Sequence, residues 1–252
     1  MTMGNIIINA DDFGRTSSIN KAIIELFDQK LINSTTLMAN MPGFEEAIEL
    51  SHQHKITHQI GAHLVLTDGE PLTKEIRSIP YLFNHQTNSR KVYIRNFFHL
   101  NKTHKDLIFK EYAKQIEKIR SNGVEINHLD THHQIHDMAG IFRIIVELLR
   151  TYNIRSMRIL NNLDITEGYK MHYRHLLNRY LKIKKINYSD YLGSRVDFLL
   201  AFNRNPDFIK NKSVEIMVHP TYNSGGQLID IFEKKEYDFE YLKDMKTNLG
   251  HR

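Results

Sequence analysis

The chain contains no cysteine, which removes disulfides, thiolate zinc sites and cysteine nucleophiles at once. No apolar run approaches the roughly 20 residues that a membrane-spanning helix needs. The N-terminus also lacks a basic segment followed by an apolar one, so a folded, cytoplasmic protein without membrane contact is the expectation. Walker-type phosphate loops, GxGxxG turns and GxSxG elbows are missing too, leaving nucleotide cradling and serine-hydrolase chemistry without a motif. There is no internal repeat, low-complexity tract or Pro/Gly/Ser linker, and one domain over residues 1–252 is expected. The formal charge is +5, but the basic residues are scattered. Their densest run, Tyr180 to Lys185, reads as the end of a helix, so no nucleic-acid partner is expected.

What is present points to an α/β fold. Asn5-Ile6-Ile7-Ile8-Asn9 is a short apolar strand with polar ends. Ile19, Ala22, Ile23, Leu26 and Phe27 then recur at helical spacing behind a Ser17 or Ser18 cap. Strand patterns follow over residues 34–39, 58–66, 125–131, 154–160, 186–191 and 213–218. Helical patterns lie over 43–54, 105–120, 140–152 and 172–184, and another follows Ser194. Alternation of this kind implies parallel pairing. About seven units in a chain of 252 residues predict a distorted TIM-like (β/α) barrel rather than an open sheet. Residues 67–104 break the pattern. Aromatics such as Tyr81, Phe83, Tyr93, Phe97 and Phe98 lie in that stretch, which reads as a lid or substrate loop.

Chemistry collects where strands end. Asp11-Asp12 follows the first strand, and His63 sits in Gly61-Ala62-His63-Leu64. Asp130-Thr131-His132-His133 with His136 follows a later strand, and His219-Pro220 closes the last. In barrel enzymes those strand tips converge on the active site. Alternation puts His128, Asp130 and His132 on one face, and Asp130 is placed to fix the tautomer of His132. One carboxylate with two imidazoles leaves coordination positions open for water and substrate. A second carboxylate and another histidine could then move protons, which describes amide or ester hydrolysis. Such a ligand set suits Zn²⁺, Co²⁺ or Ni²⁺. A phosphoesterase using His128, His133 and His136 for further metals, and a non-catalytic sugar-binding protein, are the alternatives.

At these residues the chain resembles the YdjC-like carbohydrate deacetylases. The matching stretches are Ile8-Asn9-Ala10-Asp11-Asp12-Phe13-Gly14, Ser34 through Asn40, Gly61 through Leu72, His128 through His136 and Glu215 through Pro220. The resemblance implies a distorted barrel and one divalent metal on Asp12, His63 and His132, with Mg²⁺ often named for the family. It implies hydrolysis of N-acetyl groups on amino sugars or short chitooligosaccharides, in carbohydrate metabolism. By analogy with other metal deacetylases, Asp11 is the expected base and His219 the expected acid, roles they could exchange, with Asp130 able to share one. A small acetylated sugar is the expected partner, and a homodimer is possible on this reading. The motif match thins after Pro220, and residues 229–252 fit the pattern poorly.

Overall fold

The computed structural model describes residues 5–79, 100–163, 168–232 and 239. The chain opens on β1 (Ile6–Phe13), α1 (Ser17–Asp28), β2 (Ser34–Leu37), α2 (Phe44–Gln53) and β3 (Ile60–Leu64). The middle of the chain carries α3 (Lys102–Ser121), β4 (His128–Thr131), α4 (Ala139–Thr151), β5 (Ser156–Met157) and α5 (Gly168–Ile183). It continues through β6 (Tyr191–Ser194), α6 (Arg195–Arg204), β7 (Val214–Val218) and a hairpin, β8 (Pro220–Tyr222) with β9 (Leu228–Asp230). The first seven strands form one sheet in the order β5-β4-β3-β2-β1-β7-β6, and every pairing in it is parallel. The sheet curls into a half-barrel with helices packed around it, a distorted form of the expected barrel.

Side-chain pattern explains the arrangement. The β-branched run Ile6-Ile7-Ile8 favours a pleated strand, and Ile8 and Ala10 are fully buried. Helix α1 turns Ala22, Ile23 and Leu26 inward and leaves Lys21 outside. Each large apolar side chain buried this way contributes roughly 1.5–3 kcal/mol. The α1 cap is Thr16 rather than Ser17 or Ser18: its extended backbone lets the side chain accept from Ile19 N at 3.3 Å.

Most strand ends shift from their expected positions, and β5 and β6 do so for reasons visible in their hydrogen bonds. The stretch 154–160 pairs only at Ser156–Met157, because Leu160 N is taken by the Asn178 side chain at 3.3 Å. The stretch 186–191 supplies a single bridge from Asn187 to Ser156. The strand proper lies later, where Tyr191–Ser194 pairs with Val214–Met217. The hairpin after His219 was not legible as a pair of strands. Pro220 begins it, a position where the missing N–H costs no ladder bond. At the start of the expected lid, Glu111 of α3 accepts from Leu72 N at 3.0 Å and Thr73 N at 2.7 Å. That pins the loop entrance to the helix. The aromatics Tyr81, Phe83, Tyr93, Phe97 and Phe98 lie outside the described residues. No described helix is long and apolar enough to cross a membrane.

Candidate metal and catalytic site

Parallel strands place their C-terminal ends together, so Asp11, Asp12, His63, Asp130, His132 and His219 all come to one edge of the sheet. The local backbone sharpens the convergence. Register between β1 and β2 slips between Ala10 and Phe13, and Asp12 has a φ of 70°. Asp tolerates that left-handed conformation better than most residues, and it re-aims the carboxylate toward β3 and β4. Gly14, at a φ of +87°, completes the turn; a Cβ there would stand 3.0 Å from Met38 O.

Asp12 Oδ1 lies 3.1 Å from His132 Nδ1 and 3.4 Å from His63 Nε2, and the two nitrogens are 3.3 Å apart. All three residues are buried, yet no donor is aligned on Asp12 Oδ1. Three buried donors about 3.3 Å from one another match the edges of a tetrahedron with bonds of about 2.0–2.1 Å. The set therefore fits a divalent cation. Arg15 pairs with the other Asp12 oxygen at 2.9 Å and with Asp68 at 2.8 Å, which fixes the carboxylate from outside. His63 Nδ1 donates to Asp130 Oδ1 at 2.7 Å, leaving Nε2 free to face the cation position. The partner of Asp130 is thus His63, not the expected His132.

Arg158 is the residue that sequence reasoning missed. Its side chain is 1% exposed. Nη1 and Nη2 grip Asp11 at 2.7 and 2.6 Å, Nη1 also lies 2.6 Å from Asp130, and Nε donates to Glu215 at 2.6 Å. A lone Arg among Met157, Ile159 and Leu160, and a lone Glu in Val214-Glu215-Ile216, were the available signal, since such charges are rarely buried unpaired. Asp11, Asp130 and Glu215 are three buried carboxylates around this one buried guanidinium, a formal excess of two negative charges. Burial pushes the Asp12 and Asp130 carboxyls up. For Asp12, contacts with His132 and His63 outweigh that effect and hold it well below the usual range. For Asp130, Arg158 and His63 do the same. Burial pushes Glu215 up, and Arg158 offsets only part of that. Burial lowers His63, but Asp130 and Asp12 prevail and raise it to about 10. The cluster attracts positive charge, as a cation site must.

His219 stands on the other side of Asp11, with Nε2 3.6 Å from Asp11 Oδ2, and it is held through its backbone N by Asp230 at 2.8 Å. The remaining histidines go elsewhere. His136 Nδ1 pairs with Thr131 Oγ1 at 2.7 Å. His133, at a φ of 58°, turns its Nδ1 to Thr67 Oγ1 at 2.8 Å. His128 lies at the opposite end of β4, 3.4 Å from Ser34 Oγ. Among the described residues a second grouping, Asp11, His63 and Asp130, has cation-like spacing, but Arg158 already occupies both of its carboxylates.

A sequence model of the family described as YdjC-like protein matches residues 5–248, past residue 229 where the motif match had thinned. A carbohydrate deacetylase of Clostridium beijerinckii is 30% identical over 96% of this chain and 90% of its own length. Another, from Thermoanaerobacter pseudethanolicus, is 30% identical over 96% of this chain and 92% of its own. Among solved structures, an Enterococcus faecalis protein provisionally assigned to cellobiose-phosphate cleavage superposes with a TM-score of 0.71. It is 20% identical, over 99% of this chain and 96% of that one, so the likeness concerns the fold.

Proposed function

Because this chain belongs to the YdjC-like family, we propose that it is a metal-dependent carbohydrate deacetylase, hydrolysing N-acetyl groups on amino sugars or short chitooligosaccharides. The observation that carries the reading is the triangle of Asp12, His63 and His132 donors beside the Arg158-bound Asp11. Relatives described as carbohydrate deacetylases over nearly the whole chain support the substrate class. Asp12, His63 and His132 would hold one divalent cation. Two imidazoles and a carboxylate favour Zn²⁺, Co²⁺ or Ni²⁺ over the oxygen-seeking Mg²⁺ often named for the family. A cation bound there would polarise the acetyl carbonyl and lower the pKa of water at the site.

The remaining steps fall to the chain's own side chains. Arg158 holds Asp11 through both oxygens, which fixes its orientation. Asp11 accepts a proton from the attacking water, and that water's oxygen forms the new bond to the acetyl carbon. His219, across Asp11, donates a proton to the sugar nitrogen as the C–N bond breaks, giving acetate and the free amine. Asp130 keeps His63 in the tautomer that presents Nε2; it is a positioning residue.

Acetate release from N-acetylglucosamine, diacetylchitobiose and their phosphorylated forms, measured on metal-loaded protein, tests the reading. Turnover that vanishes in Asp11→Asn and His132→Ala is the expected result. No release from any of these sugars, with one metal bound per chain, would leave a metal hydrolase of another specificity.

A further inference from the structure

Beside this site stands a large aromatic that the core does not use. Phe232 is 67% exposed, and its ring meets the His219 imidazole edge to face, with centroids 4.4 Å apart at 81°. The placement is built rather than loose. Asp230 is 6% exposed; one of its oxygens accepts His219 N at 2.8 Å and the other accepts Phe232 N at 3.0 Å. Ile231 N also donates to His219 O at 3.0 Å. One buried carboxylate therefore ties the backbone of Phe232 to that of His219, whose Nε2 lies 3.6 Å from Asp11.

Exposure alone would mean little, but a ring fixed by a buried carboxylate beside converging polar groups gives a site the apolar contact that ligand pockets combine with a few placed polar groups. A pyranose ring presents C–H bonds on its faces and hydroxyls around its rim. A flat apolar ring matches the face and leaves the rim to polar groups. The geometry points to Phe232 as the sugar-stacking platform of this site, selecting acetylated pyranosides over other acetylated amines. The inference rests on the deacetylase reading for its substrate.

The chain contains no tryptophan, so Phe232→Trp places a single indole on the platform. In metal-loaded, full-length protein, diacetylchitobiose should change that emission saturably. Phe232→Ala should raise KM for diacetylchitobiose about five- to tenfold, the scale of one aromatic contact. Phe232→Tyr should restore it, and inhibition by acetate, which has no ring, should not move. Flat emission with an unaltered KM in Phe232→Ala overturns the platform and leaves the deacetylase reading standing. A loss confined to kcat also overturns it, reassigning Phe232 as a brace for His219. Saturable emission without acetate release upholds the platform and sinks the deacetylase reading.

Discussion

His128 opens β4 at its N-terminal end, whereas His132 follows the same strand at its C-terminal end. His132 meets Asp12 and His63 within 3.3 Å and belongs to a cluster with surplus negative charge. His128 packs over Gly61, where a Cβ would come 2.4 Å from its Nε2. It lines a cavity of about 480 Å³ together with Asn5, Ser34, Ser156 and Ser213, residues that stand at or just before strand starts. Burial lowers the His128 pKa to about 4, so this ring stays neutral. The two ends of one strand thus give the same residue type different work. One end gathers a buried carboxylate and imidazoles from several strands at cation-like spacing; the other keeps a neutral imidazole as packing. In parallel barrels the loops that build sites leave from the C-terminal edge, while the N-terminal edge serves stability.

The contrast breaks first at the ligands. Asp12→Ala or His132→Ala should abolish stoichiometric metal binding and cut acetate release on the order of 10³-fold or more, as losing several kcal/mol of metal assistance requires. Metal analysis showing one ion per chain in either variant would erase the distinction between the two ends. Arg158→Met comes next. It leaves Asp11, Asp130 and Glu215 without their cation, at about 3–5 kcal/mol, which should lower Tm by roughly 10 °C. An unaltered thermal melt would mean the buried carboxylates have another partner.

Asp130→Asn should weaken metal affinity about 10- to 100-fold through His63, read by competition with a chromogenic chelator. At the other end of the strand, Gly61→Ala should cost about 1–3 kcal/mol by overpacking against the His128 ring. Adding His128→Ala should recover most of that in a double-mutant cycle, and additive losses would contradict the contact. The smallest effect is one of pH. The fold keeps His128 neutral down to about 4, against 6.5 for a free imidazole, so the unfolded chain takes up the proton first. The His128 contribution to stability should therefore decline as pH falls from 6.5 toward 4 and stay constant above that window. His128→Gln should flatten the decline by on the order of 1 kcal/mol, since the ring is only partly shielded. Acid titration of the two melts measures it.

Much of the fold was legible because alternation and helical spacing are local. The clusters at strand ends were legible for the same reason: Asp11-Asp12, His63, His132 and His219 each follow an apolar run. Span errors arose where pairing is decided at a distance. The 154–160 stretch ends early because Asn178, from a helix, takes the bond a strand neighbour would have received. Arg158 escaped notice because its meaning depends on Asp11, 147 residues away in the chain.

The residue pattern alone gave a parallel α/β architecture and the edge of the sheet where the buried carboxylates and histidines converge, since both follow from periodicity and strand direction. Tertiary structure decided which histidines share a centre, that Asp130 serves His63, and that Arg158 sits among three carboxylates. It also decided that Phe232 stands exposed beside His219. Those outcomes depend on register, on the slip at Asp12 and on contacts between distant segments, none of which a local spacing encodes.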